Sequence, residues 1–128
     1  MTGHSTTKQR VGLVAAATFL SWLGLVIHNT MELGAPPWSW ESGVPAVVAL
    51  VLFLGWWQHA AAGRVWGWLL WGWTLFAHLL LGALLSVLPL PLWPFSPEQS
   101  ISHYLAHVIY AVAQLPLLWL LWRDLRRT

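Results

Sequence analysis

The sequence predicts an all-α integral membrane protein, folded as a bundle of four transmembrane helices. Of its 128 residues, 58% are hydrophobic and only 8% are charged, whereas an ordinary soluble domain has about 25% charged residues. Four apolar stretches also approach or exceed the roughly 20 helical residues that cross a bilayer core. A chain of this length is sufficient for one domain. We therefore expect residues 1–128 to form a single membrane domain.

The predicted spans are approximately 11–31, 44–62, 65–88 and 97–122. Gly63-Arg64 is expected to form a tight turn that pairs the second and third spans as a hairpin. Four prolines in residues 88–100 cannot continue a helix. The sequence Ser96-Pro97-Glu98-Gln99 is typical of a capping box at a helix N-terminus, so the fourth helix is predicted to begin near Pro97. A kink is predicted near Pro116, with Gln114 satisfying the carbonyl that this proline leaves free.

The basic residues predict the orientation of the bundle. With four spans, all six of them fall at the same end: Lys8, Arg10, Arg64, Arg123, Arg126 and Arg127. The positive-inside rule makes that end cytoplasmic, so both termini are expected in the cytoplasm of a bacterial-type inner membrane. The lipid bilayer is the expected partner, and a homo-oligomer or a larger membrane complex remains open. Because so few basic residues are present, nucleic acid is not an expected partner.

A row of polar residues interrupts the fourth apolar stretch, SHYLAHVIYAVAQLP at residues 102–116. Spacings of four, three and four place the row on one helix face: His103, His107, Tyr110 and Gln114. The first span carries His28, Asn29 and Glu32, and the third carries His78. Polar groups within a span normally face the bundle interior. We therefore expect helices one, three and four to converge in the outer half of the bundle around His28, Glu32, His78, His103 and His107.

Three interpretations of this convergence remain open. The first is a structural network in which the imidazoles bond to Glu32 and to Asn29, Tyr110 and Gln114, which fixes helix register. The second is a cofactor site. A copper or zinc ion would be ligated by His28, Glu32, His103 and His107, whereas haem b would be clamped axially by His78 and His107. The third is a proton or ion path, which would need a polar chain through the inner half.

Catalysis has little support in the sequence. No phosphate loop, dinucleotide fingerprint, nucleophile elbow or complete metalloprotease motif is present. With no cysteine in the chain, disulfides, cysteine-based metal sites and thiol nucleophiles are excluded. The function predicted is that of a small non-enzymatic membrane subunit or scaffold. The alternatives are a haem- or metal-binding membrane protein ligated by His28, His78, His103 and His107, and a small transporter.

Overall fold

The computed structural model describes residues 2–58 and 63–127, with side-chain burial described from residue 7 onward. Within these ranges all regular secondary structure is helical, and no strand is present. The four helices are α1 (Thr2–Leu33), α2 (Trp40–Gln58), α3 (Gly63–Leu85) and α4 (Ile101–Arg127). Each is long and apolar enough to cross a membrane, with the apolar part of α1 beginning at Thr7.

The helices alternate in direction along the bundle, so two ends can be defined. The terminal end holds the start of α1, the end of α2, the start of α3 and the end of α4. The loop end holds the connections 34–39 and 86–100. Gly63 is the first residue of α3, while residues 59–62, which include the predicted end of the second span and His59, lie outside the described residues.

Helix α1 ends at a glycine in the left-handed conformation. Gly34 has a φ of 61°, which is accessible to glycine at little cost and closes a helix C-terminus. The Ala35 amide then donates to the Asn29 carbonyl at 3.2 Å. Helix α2 begins soon afterwards, at Trp40, with the amides of Ser42 and Gly43 donating to the Ser39 carbonyl. The short loop thereby brings the start of α2 beside the end of α1.

Helix α3 changes its geometry partway along. It is α-helical over Gly63–Gly72 and π-helical over Trp73–Leu85. A π-helix bonds each amide to the carbonyl five residues back, as the Ser86 amide does to Leu81 at 3.1 Å. The buried positions of this segment are Thr74, His78 and Ala83. These positions are separated by four and then five residues, so Ala83 lies on the same inward face as His78. An α-helical spacing, which was assumed from the sequence, did not predict that Ala83 lies on this face.

Helix α4 begins at Ile101 rather than near Pro97, so the predicted capping box is not formed. The Ser100 hydroxyl instead accepts from the His103 amide at 3.3 Å, which is the usual role of an N-cap serine. Gln99 is used across the loop, where its amide donates to the Val87 carbonyl at 3.0 Å. The cap is therefore the serine directly before the apolar run.

Pro116 lies inside α4, and its missing amide hydrogen leaves the Val112 carbonyl without its helical donor. Gln114 does not fill that gap as predicted. Its amide donates to the carbonyls of Tyr110, at 3.0 Å, and Ser21, at 3.1 Å. A kink near Pro116 stays a prediction.

The core has two parts. Seven buried residues pack together in the terminal half: Val14, Ala17, Trp56, Leu70, Leu117, Leu121 and Leu125. A smaller apolar cluster of Leu25, Ala83 and Tyr110 lies toward the loop end. Helices α1 and α4 approach each other closely at Gly24, where an added Cβ would lie 2.5 Å from the Cβ of Ala113. Small residues permit this approach, which brings the polar faces of α1 and α4 together.

Candidate functional site

The polar row of α4 faces the bundle interior. Its four side chains are all buried, with exposed fractions of 8% for His103, 4% for His107, 3% for Tyr110 and 0% for Gln114. The spacing in the sequence therefore predicted the buried face of α4 correctly.

Helix α1 places His28 and Glu32 opposite this row. The Nε2 atoms of His28 and His107 lie 3.1 Å apart. One turn nearer the loop end, Nδ1 of His103 forms a hydrogen bond with the Glu32 carboxylate. The ring centroid of His107 lies 4.4 Å from that of His28 and 4.5 Å from that of His103. We call these four residues (His28, Glu32, His103 and His107) the histidine cluster.

Helices α2 and α3 hold the cluster from the other side. The His107 Nδ1 donates to the Ala83 carbonyl at 2.8 Å. That carbonyl lies in the last turn of α3, where backbone acceptors lack a helical partner. The His28 Nδ1 lies 3.1 Å from Oδ1 of Asn29, whose amide nitrogen donates to the Ser42 hydroxyl at 2.9 Å. All four helices are consequently linked through one chain of hydrogen bonds.

His78 has different partners from the cluster. Its Nδ1 lies 2.6 Å from the Tyr110 hydroxyl, and the Trp73 ring packs edge-on against it with centroids 5.3 Å apart. Gly82 makes room for this arrangement, since a Cβ there would lie 2.8 Å from the Tyr110 hydroxyl. The close approach expected beside Gly82 is therefore made by Tyr110. Haem ligation by His78 and His107 stays a prediction.

Gln114 forms a second link between α1 and α4, one to two turns nearer the terminal end than the histidine cluster. It accepts a hydrogen bond from the Ser21 hydroxyl and donates to the Ser21 carbonyl. Both side chains are buried. This reciprocal pair fixes the axial register of the two helices, the role expected for Gln114 under the structural interpretation.

The apolar core separates these polar groups from the charged groups at the terminal end. There, Arg10 pairs with Asp124 at 3.0 Å, and the Trp56 indole donates to the same carboxylate at 3.3 Å. The hydroxyls of Thr18 and Thr74 lie between, and each donates to the carbonyl four residues back in its own helix. In the described ranges no continuous polar chain crosses the bundle, so a proton path is not supported.

No group of three or more histidine, aspartate or glutamate side chains among the described residues is arranged to hold a metal ion. The cluster nevertheless contains an unusual atom. Nε2 of His103 is buried without a hydrogen-bond partner. Buried polar atoms are nearly always bonded, so each exception needs an explanation.

Two members of the network were missed from sequence. Ser42 is fully buried at the start of α2. The sequence predicted it to lie in a loop, because Gly43 follows it. The acceptor for His107 is the backbone carbonyl of Ala83, which side-chain patterns do not reveal. The sequence feature that came closest to indicating this acceptor was the proline-rich segment after α3. Such a segment implies that the helix ends there, and the carbonyls of its last turn then lack helical partners.

Comparisons with protein-family models, with curated proteins and with solved structures found no match for this chain.

Proposed function

We propose that this chain is a multi-pass protein of a bacterial-type inner membrane, with both termini in the cytoplasm, and that it serves as a non-enzymatic subunit or scaffold. Four helices long and apolar enough to span the bilayer support the membrane assignment. The six basic residues at the terminal end support the orientation. Under this proposal the loop end faces away from the cytoplasm.

The observation that carries the scaffold role is the continuous network at the loop end. Polar side chains there, buried or half-buried, join one helix to another: His28 to His107, Glu32 to His103, and Asn29 to Ser42. Such bonds fix the relative positions of helices more than they add stability. A bundle held this way presents a fixed outer surface to a neighbour in the membrane.

Helix α2 offers one surface for such a neighbour. Its outward side is a row of half-exposed aliphatic residues: Val44, Val47, Leu50 and Val51. Branched aliphatic side chains lose little conformational freedom on packing and are well suited to helix contacts. The proposal is that this row of α2 contacts another membrane helix.

Orientation can be tested directly because the chain has no cysteine. We would introduce Gln9→Cys, at the terminal end, or Ser96→Cys, in the loop 86–100, and label intact cells with a membrane-impermeant maleimide. The proposal expects Ser96→Cys to react in intact cells and Gln9→Cys to react only after lysis. The reverse pattern would overturn the orientation, and labelling of both in intact cells would overturn the three membrane crossings that the proposal places between these two positions.

The scaffold role needs a separate test. Val47→Cys on α2 and Val112→Cys on α4 are similarly exposed, at 62% and 57%. A short thiol-reactive cross-linker that also reacts with lysine or cysteine would be applied to membranes. Cross-linked species at Val47→Cys but not at Val112→Cys would support a partner on α2. Recovery of both variants only as uncross-linked monomers would contradict the subunit role.

A further inference from the structure

The three imidazoles of the histidine cluster share one arrangement. Each points its Nδ1 at an oxygen atom: the Ala83 carbonyl for His107, the Glu32 carboxylate for His103 and the Asn29 side chain for His28. Histidines that bind metals through Nε2 are held in this way, because an oxygen acceptor on Nδ1 fixes the tautomer and the direction of the ring.

These acceptors determine where the imidazole protons lie. A carbonyl or a carboxylate can only accept, so His107 and His103 carry a proton on Nδ1, and in the neutral imidazole this leaves a lone pair on Nε2. Asn29 donates its amide nitrogen to Ser42, which leaves its Oδ1 to accept from Nδ1 of His28. His28 therefore also has a lone pair on Nε2. Lone pairs that face each other repel, unless a cation lies between them.

The spacing of these nitrogens fits a metal ion. Nε2 of His28 and Nε2 of His107 are 3.1 Å apart. Two imidazole nitrogens bound tetrahedrally to one zinc ion at about 2.0–2.1 Å are separated by roughly 3.3 Å. The third imidazole, His103, stacks edge-on against His107 and has the buried Nε2 that lacks any partner. A metal ion bound between His28 and His107 would satisfy these two nitrogens, and it would give Nε2 of His103 a partner once that ring moved within reach.

We propose that the histidine cluster binds one transition-metal ion of the class that prefers imidazole, zinc or copper, through Nε2 of His28 and His107. His103 would supply the third ligand only if its ring and the Glu32 carboxylate bonded to it moved together toward the ion, since three ligands are not preassembled. Glu32 holds His103 through Nδ1. It lies one residue from the end of α1, so the ion would enter from the loop end. This inference does not depend on the orientation or the partner in the proposed function.

The competing arrangement contains no metal. If the Asn29 amide is turned by half a rotation, Ser42 donates to Oδ1 and Nδ2 donates to Nδ1 of His28. His28 then donates its Nε2 proton to His107, and every atom of that chain is satisfied except Nε2 of His103. The two arrangements predict opposite results when metal is added.

The test uses the full chain in detergent or nanodiscs, purified through a tag without histidine and stripped with a chelator. Zn²⁺ and Cu²⁺ would be titrated by calorimetry, with metal content measured after desalting. We expect one ion per chain. His107→Gln and His28→Gln should each weaken binding by roughly 100-fold, and Glu32→Gln by roughly 10-fold, the range seen when orienting partners are removed. His78→Gln is the matched control, because it removes a buried histidine outside the cluster, and it should bind as the unaltered chain does.

A measurement on the unaltered chain covers the case in which a variant does not fold. Co²⁺ in a tetrahedral imidazole site gives an intense visible spectrum, and X-ray absorption on the Zn²⁺ form counts nitrogen ligands. Three imidazole ligands per ion would support the proposal. Absence of a stoichiometric ion in the unaltered chain would overturn it in favour of the metal-free arrangement. Equal binding by the chain and by a His28→Gln, His107→Gln double variant would overturn it as well. None of these outcomes changes the cysteine-labelling result, so the two proposals fail separately.

Discussion

The contact between Nε2 of His28 and Nε2 of His107, 3.1 Å long, joins α1 to α4 across 79 positions of sequence. Each ring is fixed by a separate acceptor on its other nitrogen, Asn29 for His28 and the Ala83 carbonyl for His107. The pair therefore combines a direct contact between two helices with bonds that prevent either ring from turning away. This arrangement makes the pair suitable for measurement by a double-mutant cycle.

In metal-free protein, where His28 donates its Nε2 proton to His107, we predict a coupling energy of about 0.6 kcal/mol, and no more than about 1.7 kcal/mol, between His28→Ala and His107→Ala. The measurement is the free energy of unfolding in mixed micelles for the two single variants and the double variant. His28→Ala combined with Asp124→Asn is the control, because these residues lie at opposite ends of the bundle and their effects should add. A coupling near zero for the histidine pair would mean that the contact contributes nothing.

The sequence was sufficient to predict the four helices and the buried polar row of α4. Four apolar stretches identified the helices, and spacings of four, three and four placed the polar row of α4 correctly on a buried face, because burial in a helix follows a regular period. Local backbone geometry was less accessible. The π-helical segment after Gly72 and the helix start at Ile101 depend on packing and on loop bonds that leave no periodic signal.

The membership of the site could be predicted only in part. Glu32 and the three histidines of the cluster were expected together, and the structure brings them together. His78 was expected among them, yet it bonds to Tyr110 instead. The difference arises because spacing predicts which face a side chain occupies, whereas its bonding partner depends on the rotation and depth of the facing helix. Those two quantities are set by close contacts such as the one at Gly24.

The contact at Gly24 leads to a prediction about packing. An added Cβ would lie 2.5 Å from that of Ala113, so Gly24→Ala must push α1 and α4 apart. We expect a loss of about 1–3 kcal/mol in the free energy of unfolding, the usual cost of overpacking a core. Gly12→Ala is the matched control in the same helix, because nothing lies within 4 Å of its added Cβ. If the two variants unfold at the same denaturant concentration, the close approach at Gly24 is not present.

Substitution of Gln114 tests how much the stability of the protein depends on hydrogen bonds between buried polar groups. Replacing it with leucine preserves the volume but leaves the Ser21 hydroxyl and carbonyl without their partners in the core. We expect Gln114→Leu to cost about 1–3 kcal/mol, the penalty for unsatisfied buried groups. Adding Ser21→Ala should recover part of this loss, because the orphaned hydroxyl is then removed as well. Thermal unfolding of the two single variants and the double variant measures the recovery, and strictly additive losses would contradict the pairing.

Substitutions at Glu32 can separate its role as a hydrogen-bond acceptor for His103 from the effect of its negative charge. Its carboxylate accepts from Nδ1 of His103, and its side chain is only 13% exposed. Glu32→Gln keeps an oxygen acceptor for that proton, whereas Glu32→Leu leaves Nδ1 unpaired in addition to the unpaired Nε2. We therefore expect Glu32→Leu to be less stable than Glu32→Gln by about 1–3 kcal/mol. Equal unfolding free energies would show that His103 does not depend on this bond.

The ion pair at the terminal end should behave differently from the buried network. Arg10 and Asp124 are 3.0 Å apart, but the Arg10 side chain is 48% exposed, so water and salt screen the attraction. We expect Arg10→Gln to lower the free energy of unfolding by less than about 1 kcal/mol, and by still less in high salt. Asp124→Asn removes the same pair and also weakens the acceptor for the Trp56 indole, so it should cost more than Arg10→Gln. Unfolding at low and high salt measures both effects. A larger loss for Arg10→Gln that persists in high salt would show that the pair is shielded from solvent.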